Sequence, residues 1–291
     1  MNTPTVAILV ISTIILTVIS WWVGQQAYSW LPPQASAESI LIDNLFSFMV
    51  TVGTFIFLGV VIAITYAVLF KRAGKYDLSD GPPIEGNVPL EIVWTVIPLV
   101  LVIGIATYSY QIYDRISIVG PMEHIHMARE IETTPGVERI EVLSRQWAWE
   151  FHYPEQKVTS TELHLPNNKR IRLVLRSEDV IHGLYIPAFR LKQDIIPNRV
   201  IDFEFTPIRE GRYRLRDSQY SGTYFAAMQT DVVVESSEAF ERWLETSAKE
   251  PPRISYNQAF EEYTKQDKTA AKTIIPASPP IVNYSGSKLN Y

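Results

Sequence analysis

The sequence predicts a protein in two parts: membrane α-helices first, then an all-β domain. Three observations lead there. Two charge-free runs, residues 45–70 and 92–113, each exceed the roughly 20 apolar residues that a helix needs to cross a bilayer. Charge is segregated, since only nine Asp, Glu, Lys and Arg residues precede Asp114. From Glu138 onward the apolar period becomes two, in short runs parted by Pro, Gly and Asn, which is the pattern of a β-sandwich.

The composition narrows the function classes. The chain has 291 residues and a formal net charge of -5, with no basic run of the kind that nucleic acid attracts. It has no cysteine, which excludes disulfides, thiolate metal sites and a lipid-modified cysteine near the N-terminus.

The division is residues 1–43, a hydrophobic helix or signal plus linker; 44–115, a transmembrane helical hairpin; 116–248, a β-sandwich; and 249–291, an extended tail rich in Pro, Lys and Ser. Residues 6–23 are almost unbroken in apolarity, and the leader before them carries no Lys or Arg. A secretory signal normally has a charged n-region, so an uncleaved helix is favoured over a signal peptide. Lys71, Arg72 and Lys75 sit between the two longer spans, which places that loop in the cytoplasm and everything after Asp114 on the opposite side.

Strand-like runs fall at 140–142, 147–151, 161–165, 170–176, 200–205, 212–215 and 230–235, and residues 238–245 read as a short amphipathic helix. Arg212, Arg214 and Arg216 alternate along one strand face, where pairing with acids or with a subunit outweighs a substrate role. His124, His126, His152 and His164 show no ligand spacing.

Four stretches carry a family resemblance. They are Asn87-Val88-Pro89-Leu90-Glu91-Ile92-Val93-Trp94-Thr95-Val96-Ile97-Pro98, Gln146-Trp147-Ala148-Trp149-Glu150-Phe151, Asp179-Val180-Ile181-His182, and the run from Arg216 to Met228. Together, in this order, they resemble subunit II of heme–copper respiratory terminal oxidases across roughly residues 39–245. The resemblance implies a cupredoxin-like sandwich with two rim loops. In the family, an Asp-Val-x-His loop and a Cys-x-Glu-x-Cys-Gly-x-x-His-x-x-Met loop hold a dinuclear copper centre.

Here His182 and Met228 keep their positions, but Asp217 and Ser221 stand for the two cysteines, Gln219 for the glutamate and Phe225 for the second histidine. Soft thiolates hold a copper pair at short range, and a carboxylate and a hydroxyl do not replace them. No metal is therefore expected in this chain.

The resemblance further implies that Glu91, three residues before Trp94, takes up protons at the cytoplasmic mouth of a path into subunit I. Trp147 and Trp149 fall at the aromatic motif of the subunit or donor face, where packing near subunit I is the simpler role. The implied partners are oxidase subunits I and III, with membrane lipid and quinol reached through the complex. The hemes and one copper would belong to subunit I, and the sandwich would lie on the periplasmic or lumenal side of a plasma or thylakoid-type membrane. Copper-less members typically oxidise quinol, and the sequence, lacking a lipid-anchor cysteine, resembles the cyanobacterial alternative oxidases more than the lipid-anchored bacterial quinol oxidases. The alternatives are an oxidase fed by cytochrome c through another route and a membrane-anchored cupredoxin-like binding module.

Overall fold

A computed structural model describes residues 3–72, 74, 76, 86–116, 136–250 and 257–265. Lys75, His124, His126, the Gly81-Pro82-Pro83 turn and the tail after 265 lie outside the described residues. The described chain forms two compact units, one of residues 1–31 and 41–116 and one of Pro32–Ile40 with residues 117–291.

The first unit consists of helices long and apolar enough to cross a membrane: α1 (Thr3–Gln26), α2 (Ala37–Phe70, entering this unit at Leu41) and α3 (Val88–Ile116). Residues 6–23 are thus part of a helix. Its last turns pack on α2 through small residues: Ser47 donates to the Gly24 carbonyl at 2.8 Å, and a Cβ at Gly24 would strike Thr51 Oγ1. Small residues at such a crossing let two helix backbones approach closely. At the start of α3 the Asn87 side chain accepts from the Leu90 amide at 3.2 Å and caps the first turn. Pro98 lies inside α3 and removes one backbone donor.

The second unit is a cupredoxin-like sandwich of ten strands: β1 (Val137–Arg145), β2 (Ala148–Tyr153), β3 (Val158–Ser160), β4 (Leu163–Pro166), β5 (Arg170–Ser177), β6 (His182–Ile186), β7 (Leu191–Ile195), β8 (Ile201–Phe205), β9 (Gly211–Asp217) and β10 (Gln229–Glu235). One sheet runs β3-β2-β1-β5-β8 and the other β4-β10-β9-β6-β7. The pairs β1–β5 and β4–β10 are parallel and the rest antiparallel. Alternation does the folding: in β1 the even residues Glu138, Ile140, Val142 and Ser144 are buried while the odd ones are more exposed.

Ile140, Val142, Trp149, Phe151, Leu173, Leu184, Leu215 and Val232 fill the space between the sheets. Tyr153 joins the sheets, its hydroxyl donating to the His164 carbonyl and accepting from the His164 amide at 2.9 and 2.8 Å. Burial pushes that phenol far above its usual pKa, so it stays protonated as this pair of bonds requires. Helix α4 (Ser237–Lys249) lays Phe240 and Leu244 into the core, capped by Ser236.

Two features depart from the sequence reading. The tail is not extended throughout, because Gln258–Lys265 forms a further helix, α5, with Ala259 fully buried in the sandwich core. And Pro32–Ile40 is no free linker. Ala35 and Ser36 are fully buried, the Ala35 amide donates to the Ala188 carbonyl at 3.1 Å, and the Ala35 carbonyl accepts from the Ile208 amide at 2.9 Å. The reason is that two residues of backbone complete hydrogen bonds that the loops at 187–190 and 206–208 leave open.

Glu38 adds an ion pair to this seam. Its carboxylate meets Arg170 NH1 at 2.5 Å and accepts from the Thr206 amide at 3.1 Å, while Arg170 Nε reaches Glu204 at 3.3 Å. The three side chains are only 18, 11 and 8% exposed. Arg170→Ala leaves two carboxylates together at low exposure and should destabilise the second unit by about 3 kcal/mol, read as a lower denaturant midpoint in tryptophan fluorescence. Adding Glu38→Gln should restore part of the loss.

Candidate functional site

The rim between β6 and β9 gathers four of the residues singled out in the sequence. His182 opens β6 and Asp217 closes β9, and the register Leu184↔Asp217 sets their side chains side by side on the inner face. Met228 directly precedes β10, and its carbonyl accepts from the Asp217 amide at 2.9 Å. His182 and Met228 are fully buried, Ser221 is 1% exposed and Asp217 7%.

Their contacts form a closed network. Asp217 Oδ2 lies 2.7 Å from His182 Nδ1 and accepts from Ser221 Oγ at 2.7 Å. Asp217 Oδ1 accepts from the Gly183 amide at 2.8 Å and the Gln219 amide at 3.0 Å. Four donors use up the roughly four acceptor sites that a carboxylate has. The far side of the imidazole is held by Asp179, whose Oδ1 lies 2.9 Å from His182 Nε2 and whose Oδ2 accepts from the Gln146 amide at 2.7 Å.

A carboxylate stands at each ring nitrogen, an arrangement that favours the imidazolium form of His182. Burial works against that charge, but the hydrogen bonds and charges of Asp217 and Asp179 outweigh it and raise the His182 pKa above its usual value. Burial also opposes charge on Asp179, yet the bonds from His182 and from the Gln146 and Val180 amides hold its pKa below the ordinary carboxylate range.

The remaining candidates lie apart from this network or touch it through backbone. Gln219 contributes its amide rather than its side chain. Phe225 is half-buried and turns its ring to Tyr220, 5.3 Å between centroids. Trp149 sits beneath the network, donating to the Met228 carbonyl at 3.3 Å and lying edge-on to His182 at 6.3 Å. Trp147 donates to the Ser221 carbonyl at 3.1 Å, and Gln146 Nε2 donates to the same oxygen at 2.6 Å. Gly183 has no room for a side chain, because a Cβ would press on Ser218 Oγ and on the Gln219 amide at 3.1 Å.

Glu91 belongs to the helical unit. Its side chain is exposed in the first turn of α3, and its carboxylate folds back over Gly86. Sequence reasoning placed Asp179 in the rim loop but gave it no role; its position three residues before His182 was the available signal.

The donor set does not fit a dinuclear copper centre. Both His182 nitrogens face carboxylates at hydrogen-bond distance, no thiolate is present, and Phe225 offers no donor atom. What the arrangement does is hold a buried imidazole between two carboxyl groups.

That arrangement has a pH signature. A raised His182 pKa adds stability that is complete below its unfolded value of about 6.5 and is lost as pH rises through the folded value. The lowered Asp179 pKa adds stability that is present above about 3.8 and is lost as pH falls through its folded value. Thermal midpoints measured against pH should therefore show the gap between the native chain and His182→Gln widest between these limits. That gap should shrink as the solution is made alkaline.

Comparison with known proteins agrees with this architecture. Residues 20–112 match the transmembrane domain of cytochrome c oxidase subunit II, and residues 158–237 match its periplasmic domain. The chain is 32% identical over 284 residues to a cytochrome c oxidase subunit 2 of Synechocystis, covering 86% of this chain and 85% of that protein. It is 29% identical over 267 residues to a quinol oxidase subunit 2 of Bacillus subtilis, covering 89% and 74%. The solved periplasmic domain of cytochrome oxidase subunit II from Bradyrhizobium japonicum is 29% identical, with a TM-score of 0.37 over 38% of this chain and 94% of that one. With spans at its start, a cupredoxin-like sandwich on the outer side of the membrane and such relatives along most of its length, the chain belongs to the cytochrome c oxidase subunit II family, as subunit II of a heme–copper oxidase.

Proposed function

We propose that this chain is a copper-less subunit II that supports quinol oxidation and oxygen reduction by subunit I of a respiratory terminal oxidase. The observation that carries the reading is the Asp217–His182–Asp179 network, which fills the rim position with a hydrogen-bonded ion triad instead of metal ligands. Without a metal relay in the sandwich, electrons reach subunit I by another way, and a membrane quinol delivers them directly to it. The likeness to a quinol oxidase subunit 2 of Bacillus subtilis supports this donor. The hemes and the remaining copper sit in subunit I, and this chain contributes assembly with subunits I and III and contact with lipid.

The name of the Synechocystis relative, a cytochrome c oxidase subunit 2, favours a second reading in which cytochrome c is the donor by a route outside this chain. Oxygen uptake by the purified complex separates the two. Reduced quinol should sustain it and reduced cytochrome c should not, with a copper-to-heme ratio that subunit I alone accounts for. Turnover on cytochrome c, or extra copper bound to this chain, would refute the proposal.

Within the same reading Glu91 takes up protons from the cytoplasm. Its carboxylate stands in the first turn of α3, at the end of that span which the basic loop places in the cytoplasm, where it would meet protons first. Glu91→Gln should slow quinol-driven oxygen uptake about tenfold or more, within the range by which positioned proton carriers act, while the complex still assembles with its hemes. An unchanged rate would leave Glu91 as a residue of the helix start.

A further inference from the structure

We propose that α5 is a built-in lid that closes the Trp147 rim of the sandwich to water and to soluble partners. The proposal rests on the reading that electrons arrive through the membrane, since such a subunit has no use for an open aromatic surface facing soluble carriers. Trp147 is the large aromatic of the Gln146-Trp147 rim loop, fixed below by the Ser221 carbonyl. Gly222, at φ +111°, brings that loop so close that a Cβ would lie 3.1 Å from the indole. The ring meets Tyr224 edge-on at 5.2 Å on one side. On another side it meets Tyr263 of α5, also edge-on at 5.2 Å. Trp147 is left 1% exposed.

α5 reaches this rim by a specific seat. Ala259 and Tyr263 are four residues apart and therefore share a face; Ala259 is fully buried and Tyr263 covers the indole. Asn257 caps the helix by accepting from the Phe260 amide at 3.0 Å, and its Nδ2 donates to the Gln146 carbonyl at 3.2 Å. The cap residue is thus also the contact with the loop it covers. Gln258 and Glu262 bond at 2.8 Å along the helix, and Phe260 stays 48% exposed on the outer side.

A helix of eight residues is below the roughly 12–15 at which isolated helices hold together in water. Docking and helix formation are therefore one event, and the segment is either seated and folded or released and unfolded. Release uncovers Trp147, Tyr263's contact edge and the Gln146 carbonyl while the strands beneath stay paired.

The test is hydroxyl-radical footprinting of the assembled complex, read by peptide mass spectrometry at Trp147 and Trp149. In the intact chain both indoles should be protected. In a chain ending at Glu250, Trp147 should oxidise several-fold faster, and Trp149, bonded to the Met228 carbonyl beneath the rim, should stay protected. Ala259→Arg in the full chain should give the same selective rise. If truncation raises both sites together, the sandwich has loosened and the Ala259→Arg complex decides. Trp147 protection unchanged in Ala259→Arg with α5 released, seen as rapid cleavage by trypsin at Lys265, would overturn the proposal. Quinol-driven oxygen uptake by the intact complex is read separately, so failure of the donor reading is not confused with failure of the lid.

Discussion

A buried imidazole shared by two carboxyl groups fixes the rim of this sandwich. Charge taken out of water is unfavourable by several kcal/mol per ion unless it is closely paired. The loops around His182 are consequently shaped by what its partners require. Asp217 needs four donors and receives them from a side chain and an amide of β6, the Gln219 loop amide and Ser221. Asp179 needs donors from the opposite loop and receives the Gln146 amide. The 146–147, 178–182 and 217–228 segments are thereby tied to one another through a single ring. Trp147 and Trp149 take their places as the apolar walls of that knot, one hydrogen-bonded to the Ser221 carbonyl and the other to that of Met228.

A hydrogen-bonded network of side chains is one kind of cross-link between rim loops. A metal holds loops together by coordinating their side chains, and a charge triad holds them by hydrogen bonds that need no cofactor. Both nitrogens of His182 face carboxyl groups, and Met228 serves through its backbone carbonyl. The rim keeps its form and presents no free imidazole lone pair.

Much of this was legible in the residues. The charge-free runs gave α2 and α3, and alternation gave most strands to within a few residues, because burial on one face leaves a period of two. The rest was hidden for identifiable reasons. β3 is three residues long, too short to show a period. β6 is flanked by strands on both sides and buries Gly183 and Leu184 in succession, so His182 looked like the end of a loop rather than the start of a strand. The sequence places Asp217 and Ser221 in one rim loop and Asp179 and His182 in another, but nothing local announces that Asp179 and Asp217 close on one ring. α5 lies in a stretch whose composition favours an open chain, and only its seat against Trp147 makes it helical.

The seam formed by Pro32–Ile40 bears on how the protein is made. This segment leaves the ribosome long before the loops at 187–190 and 206–208 to which Ala35 is bonded, and residues 41–116 come between them. Those bonds and the Glu38–Arg170 pair form only when both ends of the intervening helices emerge on the same side of the bilayer. A chain inserted with one crossing missed would hold its early and late halves in different compartments, with the sandwich lacking its edge and Arg170 lacking Glu38. Closure of this seam in the exported domain therefore requires that both crossings have been made.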